Sequence, residues 1–192
     1  MQPKATILAF DTSAAHCAAA LLFSGRVLTK VDPMAKGQAE HLLPMLEDLL
    51  RGANLTWRDL DGIGVNVGPG NFTGIRIAVA TARGLALALQ KPAIGVTGFE
   101  ARAWQQPLPY TATVPAPRQQ SYAQTFHADG VLSDPEQVNR AALEQPDADV
   151  LVSNVLQIAA QRLNTPQPRP APLYVRSADA APARDAAPVI LP

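Results

Sequence analysis

A nine-residue string, GPGNFTGIR from Gly68 to Arg76, stands between an alternating β-branched segment and a long apolar run. That order constrains the fold of this chain more than any bulk property does. Gly62 to Val67 reads as a strand, with apolar side chains at every second position. Gly68 and Gly70 permit a tight turn and close backbone approach. Asn71 suits the N-cap of a helix expected from Phe72 to Gln90. Strand, turn and helix in that order form the repeating unit of an α/β sheet.

The expected helix is apolar on two sides. Ile75, Ala78, Val79, Ala82, Leu85, Ala86 and Leu89 share one face, and Ile77, Ala80, Gly84, Leu87 and Ala88 lie roughly opposite. Arg76, Arg83 and Gln90 form a narrow polar stripe between them. Burying Ile77 and Leu87 would gain about 1.5–3 kcal/mol each. The second face is therefore covered either by the rest of the chain or by another molecule.

Upstream, Thr6–Asp11, Cys17–Phe23 and Arg26–Val31 read as strands, with a tight turn at Ser24-Gly25. A helix is expected over Gln38–Gly52, its apolar arc formed by Leu42, Leu43, Met45, Leu46, Leu49 and Leu50. Pro44 predicts an irregular first turn or a late start. Pro92–Val96 is a further short strand. Beyond Trp104, strands are expected at 110–114, 121–126 and 149–152, and helices at 135–143 and 153–163. Seven of the eighteen prolines crowd into Pro166–Pro192, a composition that opposes long helices and central strands. Two units follow, 1–104 and 105–192, the first a mixed sheet covered by helices.

Composition removes several functional classes. Sixteen basic residues balance sixteen acidic ones, so the chain has no general attraction for nucleic acid or anionic membrane. Cys17 is the single cysteine, which suits a reducing compartment. The apolar stretch Ala5–Phe10 is too short for a signal peptide or a membrane span, so a cytoplasmic location is expected. The histidines, His16, His41 and His127, are widely spaced and form no i, i+4 metal-ligand pair. Asp11, Ser13 and His16 are too close in sequence to converge as nucleophile, base and orienter. Asp11, Gly68, Gly70, Asn71 and Thr73 remain as candidates for anion or nucleotide binding at a helix N-terminus; a simply capped turn is the alternative.

The nine-residue string resembles the GPG-(Ser/Asn)-FTG-(Ile/Val/Leu)-R run of the bacterial TsaB family, also called YeaZ. ILAFDTS (Ile7–Ser13), QAEHLLPMLEDLL (Gln38–Leu50) and KPAIGVTGFEA (Lys91–Ala101) agree with it, as does LYVRSADA (Leu173–Ala180) near the end. The resemblance spans about the first hundred residues. It implies an actin-like, ribonuclease H-like fold of the sugar kinase, heat-shock ATPase and actin superfamily, with helices on both faces and a shortened second lobe.

The resemblance further implies a non-catalytic scaffold subunit in the synthesis of N6-threonylcarbamoyladenosine in tRNA. Such a subunit pairs with the catalytic TsaD and with the ATPase TsaE, meets tRNA through the complex, and forms a homodimer when alone. ATP and metal are then expected on the partner subunits, with no cofactor and no membrane contact of its own. Pairing through the first-lobe helices implicates Leu42, Met45, Leu46, Leu49, Arg76, Ile77, Ala80, Arg83 and Leu87. Ala116–Tyr122 departs from the family's Asp-Ala-Arg and Glu-Val-Tyr pattern. Two alternatives stay open: a weak Mg-dependent ATPase or kinase-like enzyme using Asp11 and the Gly68–Thr73 loop, and a homodimeric relic of the family.

Overall fold

Strand β1 (Ile7–Asp11) is buried along its whole length, and the remainder of the fold is built around it. A computed structural model describes residues 5–139 and 141–175. β2 (His16–Phe23) and β3 (Arg26–Pro33) continue β1 as an antiparallel meander. β4 (Gly62–Asn66) and β5 (Ala93–Val96) run parallel on its other side, giving the order β3-β2-β1-β4-β5. Three antiparallel strands followed by two parallel ones, with helices on both faces, make the actin-like, ribonuclease H-like arrangement expected.

Both faces of the sheet are dry at β1 and along most of β2, which explains their unbroken apolar runs, whereas edge strand β3 is largely exposed. Leu8, Phe10, Leu21, Ile63 and Val65 face α1 (Gln38–Gly52) and α2 (Phe72–Leu89). Ile7, Ala9, Ala18, Ala20 and Ile94 face α4 (Ala148–Arg162). Ala9, Ala18 and Ala20 supply the small side chains of that second face. A Cβ at Gly64 would lie 2.9 Å from that of Ala159, so the glycine lets α4 settle close to the sheet.

A short helix α3 (Gly98–Ala103) follows β5. It went unpredicted, although its signal is in the sequence: Thr97 and Glu100 form a reciprocal capping box. α3 leads to a second, antiparallel sheet of β6 (Tyr110–Ala116), β7 (Gln120–Phe126) and β8 (Glu136–Val138).

Four expectations need correction. The helix expected at 135–143 gives way to β8, because pairing with β7 outweighs local helical preference. The strand expected at 149–152 is the first turn of α4, where Leu151, Val152, Val155, Leu156 and Ala159 recur at helical spacing and face the core. Pro44 does not delay α1, which begins at Gln38. A division at residue 104 does not separate two packed units, because α4 returns to close the back of the first sheet. From 166 to 175 the chain runs alongside the fold, tied by the Leu173 amide donating to the Val67 carbonyl at 2.7 Å. The stretch 176–180 of the LYVRSADA segment lies outside the described residues.

Candidate functional site

α2 begins where the Asn71 side chain accepts from the Gly74 amide at 2.9 Å, and ends at Gln90 in the left-handed conformation. Its inner face buries Ile75, Ala78, Val79 and Ala82. The outer face is uncovered: Ala80 and Gly84 are exposed, Ile77 is half-buried, and Leu87 is 83% exposed. Arg76 and Arg83 are exposed along the same helix. By length and composition α2 is apolar enough to cross a bilayer, yet its inner face belongs to the core between sheet and helices.

The α1 residues assigned to partner binding lie elsewhere. Leu42, Met45, Leu46 and Leu49 are between 0% and 9% exposed and form part of the chain's own core. The reason is geometric: α1 has one apolar arc, and the sheet consumes it. Of that arc, Leu43 is the residue left exposed.

One cluster escaped the sequence reading. Arg76 stacks over Phe72 with its guanidinium carbon 3.8 Å from the ring centroid, and its Nε donates to the Tyr174 hydroxyl at 2.9 Å. The Phe72 and Tyr174 rings stack at 5.0 Å. The segment carrying Tyr174 is thereby fastened to the first turn of α2. A tyrosine within LYVR was the available signal, but its partner lies 98 positions away.

The second candidate centre gathers at the end of β1. Asp11 is 3% exposed, and its carboxylate accepts from the Ser13 amide at 2.7 Å and approaches His16 Nε2 at 3.3 Å. Burial pushes the Asp11 carboxyl up, but the His16 bond and charge and the Ser13 bonds outweigh it, leaving the group below its ordinary value. Buried Gln38 reaches from α1 to the carbonyls of Thr12, Ala14 and His16, pinning the turn between β1 and β2. Ser13 Oγ accepts from Asn66 Nδ2 at 3.1 Å. Among the described residues no bond links it to His16, so no nucleophile–base pair forms. No group of three or more His, Cys, Asp or Glu gathers to hold a metal among the described residues.

The structure sets the turn that follows Asp11 directly against Gly70, Asn71 and Gly74. The Asn71 amide donates to the Ser13 carbonyl at 2.7 Å, and the Thr12 hydroxyl to the Gly74 carbonyl at 2.6 Å. A Cβ on Gly70 would stand 2.4 Å from the Ser13 oxygen, and one on Gly74 1.8 Å from the Thr12 oxygen. Asn66 Oδ1 takes the Gly68 amide at 2.9 Å. The amides that would cradle a phosphate at Gly68, Asn71 and Gly74 are thus engaged within the chain. Thr73 sits exposed on the first turn of α2. Beside this contact a cleft of about 640 Å³ opens between the two sheets, lined by His16, Gly70, Asn71, Arg102, Gln145 and others.

Residues 33–135 match the family profile described as TsaD, tRNA N6-adenosine threonylcarbamoyltransferase. The chain is similar to the tRNA threonylcarbamoyladenosine biosynthesis protein TsaB of Escherichia coli (strain K12), 36% identical over 91 residues, which cover 47% of this chain and 39% of that one. Similarity to TsaB of Buchnera aphidicola subsp. Schizaphis graminum is 34% over 103 residues, covering 52% and 49%. This chain therefore spans between about two-fifths and one-half of the curated TsaB relatives it matches. An uncharacterized protein of Mycobacterium tuberculosis (strain H37Rv) is 31% identical over 158 residues, covering 81% of this chain and 74% of that one. The solved structure of YeaZ from Pseudomonas aeruginosa superposes with a TM-score of 0.69 at 26% identity, covering 88% of this chain and 99% of that one.

Proposed function

This chain belongs to the TsaB (YeaZ) family, and on that footing we propose that it is a non-catalytic scaffold subunit in the synthesis of threonylcarbamoyladenosine on tRNA. Its work is to pair with a TsaD-type transferase through the outer face of α2. Arg76, Ile77, Ala80, Arg83 and Leu87 form that face, and Gly84 lets a facing helix come close.

The observation that carries this reading is the exposure of Leu87 and its neighbours on a helix whose other side is already buried. An apolar strip of this kind is stabilised by a second molecule and is costly in water. Without the partner, a second copy of the chain covers the same strip as a homodimer. ATP and metal belong to the partner subunits, TsaE among them, and tRNA is met through the assembled complex in the cytoplasm.

An independent ATPase or kinase-like role draws little support from the site. The β1–β2 turn and the glycine loop touch through their backbones where a phosphate would have to lie.

The test is restoration of tRNA threonylcarbamoyladenosine, measured by nucleoside mass spectrometry, in bacteria lacking their own TsaB. The chain is expected to restore it and to co-purify with TsaD, and Leu87→Asp to lose both while remaining folded. Restoration that is undiminished by Leu87→Asp and Ala80→Asp together would overturn the assigned face. Magnesium-dependent ATP turnover by the isolated chain, abolished in Asp11→Ala, would overturn the scaffold role.

A further inference from the structure

We propose that the cleft between the two sheets binds a small oxyanion, a carboxylate or a phosphate, on the guanidinium of Arg102. Arg102 lies in the last turn of α3, is partly buried, and lines this cleft. Its Nε donates to Gln145 Oε1 and its Nη1 to the Gly98 carbonyl, both at 2.8 Å. Both acceptors are neutral. A guanidinium carries five N–H groups, so three are left without a protein acceptor among the described residues.

No carboxylate pairs with Arg102 among the described residues. Burial lowers its pKa, with the Asp11 and Tyr110 charges opposing the shift. A guanidinium nonetheless stays protonated at neutral pH. A cation partly withdrawn from water gains from an anionic partner in hydrogen-bond contact. Its two bonds to neutral acceptors fix the plane of the fork, the geometry that suits bidentate capture of an oxyanion.

The surroundings favour a small anion over a nucleotide. The acid in the cleft wall is Asp147, which is exposed; Asp11 is buried and answered by Ser13 and His16. A cleft of about 640 Å³ accommodates a small molecule. The closed turn–loop contact leaves no backbone cradle for a polyphosphate. None of the outer-face residues of α2 takes part, so this site and the partner-binding reading stand or fall separately.

The full chain should be titrated with inorganic phosphate and, separately, with sodium acetate, at constant ionic strength maintained with chloride. The readout is the arginine Nε–H region of a nitrogen-15 spectrum, in which Arg102→Lys identifies the Arg102 signal. A saturable shift of that signal is expected with at least one anion; phosphate alone would indicate a phosphate site and acetate alone a carboxylate site. With affinity followed by isothermal titration calorimetry, Arg102→Gln should weaken binding at least about tenfold, while Arg118→Gln on the exposed β6–β7 turn leaves it unchanged. A flat or non-saturating Arg102 signal with both anions overturns the proposal. So does unchanged affinity in a folded Arg102→Gln or, should that variant not fold, in Arg102→Lys.

Discussion

Arg76 Nε donates to the hydroxyl of Tyr174 at 2.9 Å, closing a contact across 98 positions of sequence. Phe72 completes the cluster by stacking on Tyr174 and lying under the guanidinium. Replacing Tyr174 with Ala removes the ring stack and the hydrogen bond together. The expected cost is about 1–2 kcal/mol of stability, read as a lower urea midpoint at unchanged m-value. Tyr174→Phe should retain about half of that, because the stack survives.

Leu46 and Leu87 differ sharply in placement although both are helical leucines. Leu46 is 0% exposed beneath α1, whereas Leu87 projects from α2. Leu46→Asp is expected to unfold the chain, since an unpaired charge in the core costs about 3 kcal/mol or more. Leu87→Asp should change stability by no more than about 0.5 kcal/mol. Circular dichroism melts of the two variants decide this, and a folded Leu46→Asp protein would contradict the core assignment.

Gly74 and Gly84 provide a paired test within one helix. A Cβ at Gly74 meets the Thr12 carbonyl oxygen at 1.8 Å, so Gly74→Ala must push the β1–β2 turn away at a cost of about 3 kcal/mol. At Gly84 nothing lies within 4 Å. Gly84→Ala should therefore stabilise the isolated chain by about 0.5–1 kcal/mol. The same substitution should weaken self-association or pairing if α2 meets another helix there, a change visible by analytical ultracentrifugation.

Asp11 makes stability sensitive to acid. Its folded pKa lies below the ordinary 3.8, so its contribution is complete above that value and disappears as pH falls through the folded pKa. Between pH ~5 and ~2 the native chain should lose more stability than Asp11→Asn does. Urea titrations at stepped pH measure the difference, and parallel pH profiles would show that the carboxylate contributes nothing.

The first hundred residues were legible because their signals are local. Alternation and continuous apolar runs marked β1 to β5, and α1 and the start of α2 fell where the Gln38 and Asn71 boundaries placed them. Apart from α3 and the start of α4, whose signals are local, what failed was non-local. The β-bridges of β8 at Gln137 and Val138 exist because β7 offers an open edge, which no property of those residues announces. The α1 leucines were assigned to a partner because an amphipathic arc looks the same whether its own sheet or another protein covers it. On α2, two opposed apolar faces did separate inside from outside, since a single sheet can cover only one of them. The contact that closes the glycine loop depends on Ser13 and Thr12 arriving from β1, more than fifty residues earlier in the chain.

The position of α4 also bears on how the molecule is made. Small side chains on β1 and β2, with the glycines of β4, form a flat surface that waits for a helix encoded more than fifty residues after β5. During synthesis from the ribosome the central sheet can assemble early, but its rear stays bare until α4 emerges. Premature termination before residue 148 would thus release a half-covered sheet, a species that associates with other chains instead of folding alone.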